Sequence, residues 1–140
     1  MSDEGYATFD HTGDLGLEVW AQTPERLYAL AVEAVLAQVV EAHTDTIDVR
    51  SVFKLEGDDP GDLLVHWLNT ALLQAELDQA VWTKVTVARL SDCRLQGCLE
   101  GPLLDADRDV LLREIKAVSY HHLEVDLEPP DCRCRLILDI

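Results

Sequence analysis

Two stretches of helical period, set among stretches of period two, restrict this chain to an α+β architecture. Thr23-Pro24 is a helix start: a Thr hydroxyl caps orphan backbone N–H groups, and Pro at the first helical position forfeits no hydrogen bond. Leu27, Leu30, Ala31, Ala34, Val35 and Leu36 follow at helical spacing, which predicts a first helix to about residue 41 with a broad apolar face. A second helix is expected over roughly 61–79, with Leu64, Trp67, Leu68, Ala71, Leu72 and Ala75 on one side. Asp59 is placed to cap it, and the neighbouring Asp58 and Asp62 suit its positive end.

The remaining pattern is that of strands. Residues 5–10 and 15–21 read as two strands joined by Thr12-Gly13-Asp14, a turn in which Gly13 supplies positive φ. Ile47, Val49, Phe53 and Leu55 keep strand parity up to the turn at 57–61. Val81, Thr83, Val85 and Val87, then Cys93, Leu95, Gly97 and Leu99, form a hairpin. Residues 100–109 are polar and contain Gly101-Pro102, which predicts a loop, and 112–119 is assigned mainly to strand. Leu123, Val125 and Leu127 alternate, Pro129-Pro130-Asp131 turns the chain, and 132–138 returns as the last strand. The expectation is a single α+β domain over 1–140, with two helices packed on one face of a mainly antiparallel sheet.

Charge narrows the function. Acidic residues outnumber basic ones 27 to 11, for a net charge of −16, so the chain lacks the basic face of a protein that grips phosphates directly. A basic protein partner or bound cations fit this balance better. The apolar runs are too short to span a bilayer and the first residues lack the features of a signal peptide, which predicts a cytoplasmic protein with no membrane partner. Cys93, Cys98, Cys132 and Cys134 are then reduced thiols, and their spacings are those of neither a zinc finger nor a redox motif; strand packing is their expected role.

Chemistry is concentrated at two ends of the chain. Asp10-His11-Thr12-Gly13-Asp14 lies at the mouth of the first hairpin, and the sequence closes on Leu136-Ile137-Leu138-Asp139-Ile140 without a polar tail. A strand ending there would fix the Ile140 α-carboxylate beside the carboxylate of Asp139, on a different face from Leu138. Carboxylates brought together with Asp14 repel one another unless a cation sits among them, and an all-oxygen set selects Ca²⁺, Mg²⁺ or Mn²⁺ over zinc. Spacing alone does not bring Asp14 to Asp139. The alternative is that Asp14 serves its own turn and Asp139 is a solvated end residue. His11 is read as a satisfied structural histidine that orients a carboxylate, since no serine or cysteine motif offers it a nucleophile. His43 is expected at the end of the first helix or in solvent, and His66 partly exposed beside Trp67.

Asp10-His11-Thr12-Gly13-Asp14-Leu15, the helix led by Thr23, the run Leu63-Leu64-Val65-His66-Trp67-Leu68-Asn69, the run Glu114-Ile115-Lys116-Ala117-Val118-Ser119-Tyr120-His121, and the closing Ile137-Leu138-Asp139-Ile140 together resemble archease, in order and over essentially the whole chain. Gly13 stands where alanine is common in that family, and Ser119 where threonine is; Cys132-Arg133-Cys134 is no part of the resemblance. The resemblance implies an SHS2-type α+β fold and a protein cofactor rather than an enzyme. It implies assistance to an RtcB-type tRNA-splicing ligase, promoting guanylylation by GTP and repeated turnover, with RNA met only through the ligase. It also implies that Asp14, Asp139 and Ile140 bind a divalent cation, and that no residue of the chain is catalytic. Lys116 and Tyr120 match a motif of the family without an assigned role. A metal-dependent phosphoester hydrolase, with His11 as base, is the alternative; turnover by the purified chain alone distinguishes the two.

Overall fold

Both helices begin at their caps. The computed structural model describes residues 3–140. Thr23 is extended (φ −130°, ψ 154°), and its hydroxyl accepts from the Arg26 N–H at 3.2 Å, opening α1 (Pro24–Val39). The Asp59 carboxylate accepts from the Asp62 N–H at 2.8 Å and opens α2 (Pro60–Asp78), which closes on Gln79 in the left-handed conformation, φ 51°. The first helix stops short of residue 41 because Val40 and Glu41 leave it as a short strand, β3, paired with a distant Val110–Leu111. His43 is therefore not at a helix end but is exposed, the other of its two expected places. Its backbone N–H donates to Asp109 and its Nε2 lies 3.2 Å from Glu41.

The other strands are β1 (Gly5–His11), β2 (Asp14–Ala21), β4 (Val49–Glu56), β5 (Lys84–Leu90), β6 (Arg94–Gly101), β7 (Val110–Leu111), β8 (Ala117–Asp126) and β9 (Cys132–Asp139). All named pairings are antiparallel, as expected, and they divide the strands into a sheet ordered β1-β2-β9-β8, a sheet ordered β4-β6-β5, and the small β3-β7 ladder. Both helices touch both larger sheets: α1 packs on β2, β9 and β5, and α2 on β8, β4 and β6. This position explains the breadth of the apolar face of α1, where Leu27 to Val32 and Ala34 to Leu36 are all buried. On the four-stranded sheet Leu17, Val19, Leu136 and Leu138 face the helices and are fully buried, while Glu18, Arg133 and Arg135 alternate onto the opposite, outer face. No helix among the described residues is long and apolar enough to cross a membrane.

The segment expected as strand over 112–119 is strand only from Ala117 onward. Residues 112–116 are instead tied to the end of α1, where the Leu112 N–H donates to Val39 O (2.8 Å) and Arg113 Nη1 to Gln38 O (2.8 Å). These residues carry the chain from β7 to β8, so their apolar side chains obey neither period.

Two buried or half-buried polar groups hold the irregular parts. Asn69, on α2, donates from Nδ2 to Val118 O (3.2 Å) and accepts from the Val118 N–H (2.8 Å), satisfying backbone groups of the edge strand β8. Asn69→Ala leaves both without a partner and should cost about 2 kcal/mol in urea unfolding. Asp109 accepts from the His43 and Asp105 N–H groups and from Arg108 Nε and Nη2, all at 2.9–3.1 Å, and so stitches the loop before β7 to the segment after β3. These donors, the Arg108 guanidinium first, hold its carboxyl well below the ordinary range. A carboxyl with a depressed folded pKa stabilises the fold fully above its unfolded value of about 4, and that contribution fades as pH falls below it. Asp109→Asn should therefore lower stability at neutral pH and flatten its acid limb, read as thermal midpoint against pH.

Candidate metal centre

The first hairpin closes on the pair His11 and Asp14, leaving Thr12-Gly13 as a two-residue loop. Gly13 has φ +75° whereas Thr12 does not enter the positive region, so the positive φ falls at the third of four turn residues, where a type II turn demands it. Gly13→Ala meets no atom within 4 Å, so its cost is conformational alone, about 1 kcal/mol in the same unfolding assay.

The hairpin sets the register of the site. Leu15 pairs with Leu138 and Leu17 with Leu136 on the helix side, so Asp14, one step outward along the same register, stands opposite Asp139. Directly opposed residues share a face, and here it is the outer one, as with the Glu18–Arg135 ion pair on the same two strands. A single row thus crosses the sheet as His11, Asp14, Asp139 and Ala117. Asp14 and Asp139 are half-buried, and among the described residues no Lys or Arg pairs with either. Two neighbouring carboxylates with no Lys or Arg partner are an oxygen donor set that fits a hard divalent cation. The end of β9 is held from β8, since the Lys116 N–H donates to Asp139 O at 2.8 Å. Ile140 follows with a half-exposed side chain. Asp10 pairs with Leu15 and lies on the other face, away from the row.

His11 departs from its expected role. Its Nδ1 lies 3.6 Å from Asp14 Oδ2, beyond hydrogen-bond reach, and is buried with no hydrogen-bond partner. Its ring instead faces His121 and His122 at centroid distances of 6.0 and 5.6 Å. Gly16 and Phe9 shape the next row: a Cβ on Gly16 would overlap the Phe9 ring, which lies across β2 and carries the Arg135 guanidinium 4.1 Å from its centre.

The other expected roles are distributed as follows. Cys132 and Cys134 are buried on the helix side of β9, and burial pushes the Cys134 thiol up to about 12, so it is an inert packing group. Cys93 is exposed and Cys98 half-buried on the other sheet, so the thiols do not gather. His66 is exposed, with Nδ1 2.9 Å from Glu56 O. The Tyr120 hydroxyl donates to Asp62 at 2.6 Å, tying β8 to the start of α2. Lys116 has an exposed side chain, and its backbone rather than its ammonium meets Asp139.

Known proteins resemble this chain in sequence and in fold. The family model described as the archease protein family (MTH1598/TM1083) matches residues 6–140. Protein archease of Methanopyrus kandleri is 28% identical over 134 residues, covering 94% of this chain and 96% of its own length. Protein archease of the fish Ictalurus punctatus is also 28% identical, over 90% of this chain and 80% of its own. The solution structure of Methanobacterium thermoautotrophicum protein 1598 superposes with a TM-score of 0.78 at 23% identity, covering 97% of this chain and 99% of that one, and so shares the fold. With the family model matched from the first strand to the last residue, the chain belongs to the archease protein family.

Proposed function

We propose that this chain is a cytoplasmic accessory protein of an RtcB-type RNA ligase, promoting guanylylation of the ligase by GTP and its multiple turnover. Membership of the archease family carries the reading, because relatives across archaea and a vertebrate bear that name. The net charge of −16 supports it further: such a surface is suited to docking on a basic RNA-handling enzyme and unsuited to holding RNA itself.

Asp14, Asp139 and the α-carboxylate of Ile140 would hold a divalent cation, Ca²⁺, Mg²⁺ or Mn²⁺, at the hairpin end of the outer face. The opposed register of the two aspartates, and the absence of a Lys or Arg partner for either among the described residues, support this set. When bound, the cation supplies positive charge beside a phosphate-bearing partner. The chain's own residues position it: the Thr12-Gly13 turn sets Asp14, and the Lys116 N–H fixes the backbone of Asp139. None of these groups attacks a substrate.

The test is formation of the covalent ligase–GMP adduct, followed with labelled GTP and the cognate RtcB-type ligase. The native chain should raise the rate of adduct formation. An unchanged rate, together with phosphoester hydrolysis by the chain alone, would instead establish the hydrolase.

A further inference from the structure

Three imidazoles meet on the outer face: His11, which begins the row of Asp14 and Asp139, and His121 and His122 beside it. The ligand nitrogens of His11, His121 and His122 all lie within 4.8 Å of one another; among the described residues this is the only gathering of three or more such side chains. We propose that these three histidines form a second metal site, selective for a borderline ion such as Zn²⁺ and separate in donor chemistry from the carboxylates of Asp14 and Asp139.

The backbone is shaped to bring them together. His121 and His122 are sequence neighbours, and in a regular strand they would point to opposite faces. Between the pairs Ser119–Ile137 and Glu124–Arg135, β8 takes five steps while β9 takes two, so β8 bulges at these residues. Within the bulge His122 has φ +54°, a conformation uncommon for a residue other than glycine. The two rings then lie 4.0 Å apart, centre to centre, and both face His11 from β1, at the far edge of the sheet. The entry to the bulge is held in place: the His121 N–H donates to Ser119 Oγ (2.9 Å), Tyr120 to Asp62, and Asn69 grips Val118.

The donor set specifies the metal. Imidazole nitrogen suits zinc, copper, cobalt and nickel, whereas the carboxylates beside it suit harder ions. Tetrahedral zinc with bonds of about 2.0–2.1 Å needs nitrogens about 3.3 Å apart, a contraction that side-chain rotation of the exposed His121 and His122 supplies. The buried, unbonded Nδ1 of His11 faces Asp14, so a small ring rotation gives the carboxylate–histidine–metal arrangement that fixes a ligand's tautomer, with His11 ligating through Nε2. Three protein ligands leave a fourth position open to water.

The test is titration of the chelator-stripped full chain with Zn²⁺ by calorimetry, with the histidine ring resonances followed by NMR. One equivalent should bind at micromolar Zn²⁺ and shift the rings of His11, His121 and His122. His121→Ala and His122→Ala replace exposed side chains and leave the core intact; each should weaken binding about tenfold or more. Asp139→Asn and Cys93→Ser should leave Zn²⁺ affinity unchanged. Binding that survives the double histidine variant, is lost in Cys93→Ser or Asp139→Asn, or is absent at micromolar Zn²⁺ in the native chain overturns the site.

Discussion

Trp67→Ala should destabilise the fold by about 3–5 kcal/mol, enough to bring a domain of this size near its unfolding threshold at ordinary temperature. Trp67 is fully buried on α2, and its indole reaches across the core between the two helices and the three-stranded sheet. Its Nε1 donates to Tyr28 O on α1 at 3.1 Å, and the far edge of the ring lies where a Cβ on Gly97 of β6 would stand 2.7 Å away. Removing the ring therefore opens a cavity bounded by rigid backbone, which cannot close around it. Trp67→Phe keeps most of the volume but loses the indole N–H, and should recover more than half of the stability. Urea unfolding followed by circular dichroism measures both. A loss below about 1 kcal/mol for the alanine variant would mean that this corner of the core collapses freely.

The second large effect is a change of sign. Without a divalent cation, Asp139→Asn removes one of two neighbouring carboxylates and should raise stability, because like charges facing each other on one row repel. With Ca²⁺ or Mn²⁺ at about one hundred times its dissociation constant, the native chain should gain about 2.7 kcal/mol and the variant almost nothing. Thermal unfolding of both chains, with cation and with chelator, reads the crossing directly. Parallel shifts in the two chains would place the cation elsewhere.

How much of the fold is legible in the sequence depends on how local its cause is. The starts of both helices were legible, because a cap residue and the N–H it accepts from are three positions apart. So was the hairpin around Gly13, whose φ is a property of the turn itself. The end of α1 was not. Val40 is apolar and helix-compatible, and only its pairing with Leu111, seventy-one positions away, draws it into a strand. The same distance hid Asp109, which reads as one more polar loop residue until the His43 N–H arrives on it. The division of the strands between two sheets is likewise fixed by which side of the helices each strand covers.

At the site, Asp14 and Asp139 were recognisable as chemistry-bearing residues, but their opposition rests on a register set by the Leu15–Leu138 pair. The sequence pairs His11 with a carboxylate, but its Nδ1 stops 3.6 Å short of Asp14. Its meeting with His121 and His122 had no signal in the spacing. Adjacent histidines in a strand point apart, and a bulge depends on the partner strand.

On the function proposed above, the carboxylates at the end of the outer face carry the action of this archease-family chain on its ligase. The deciding measurement is multiple-turnover RNA ligation by the cognate RtcB-type enzyme with GTP, with the native chain or Asp139→Asn added. The native chain should convert a stalled ligase into one that turns over repeatedly, and the variant, still folded, should not. Equal turnover with either chain would contradict it.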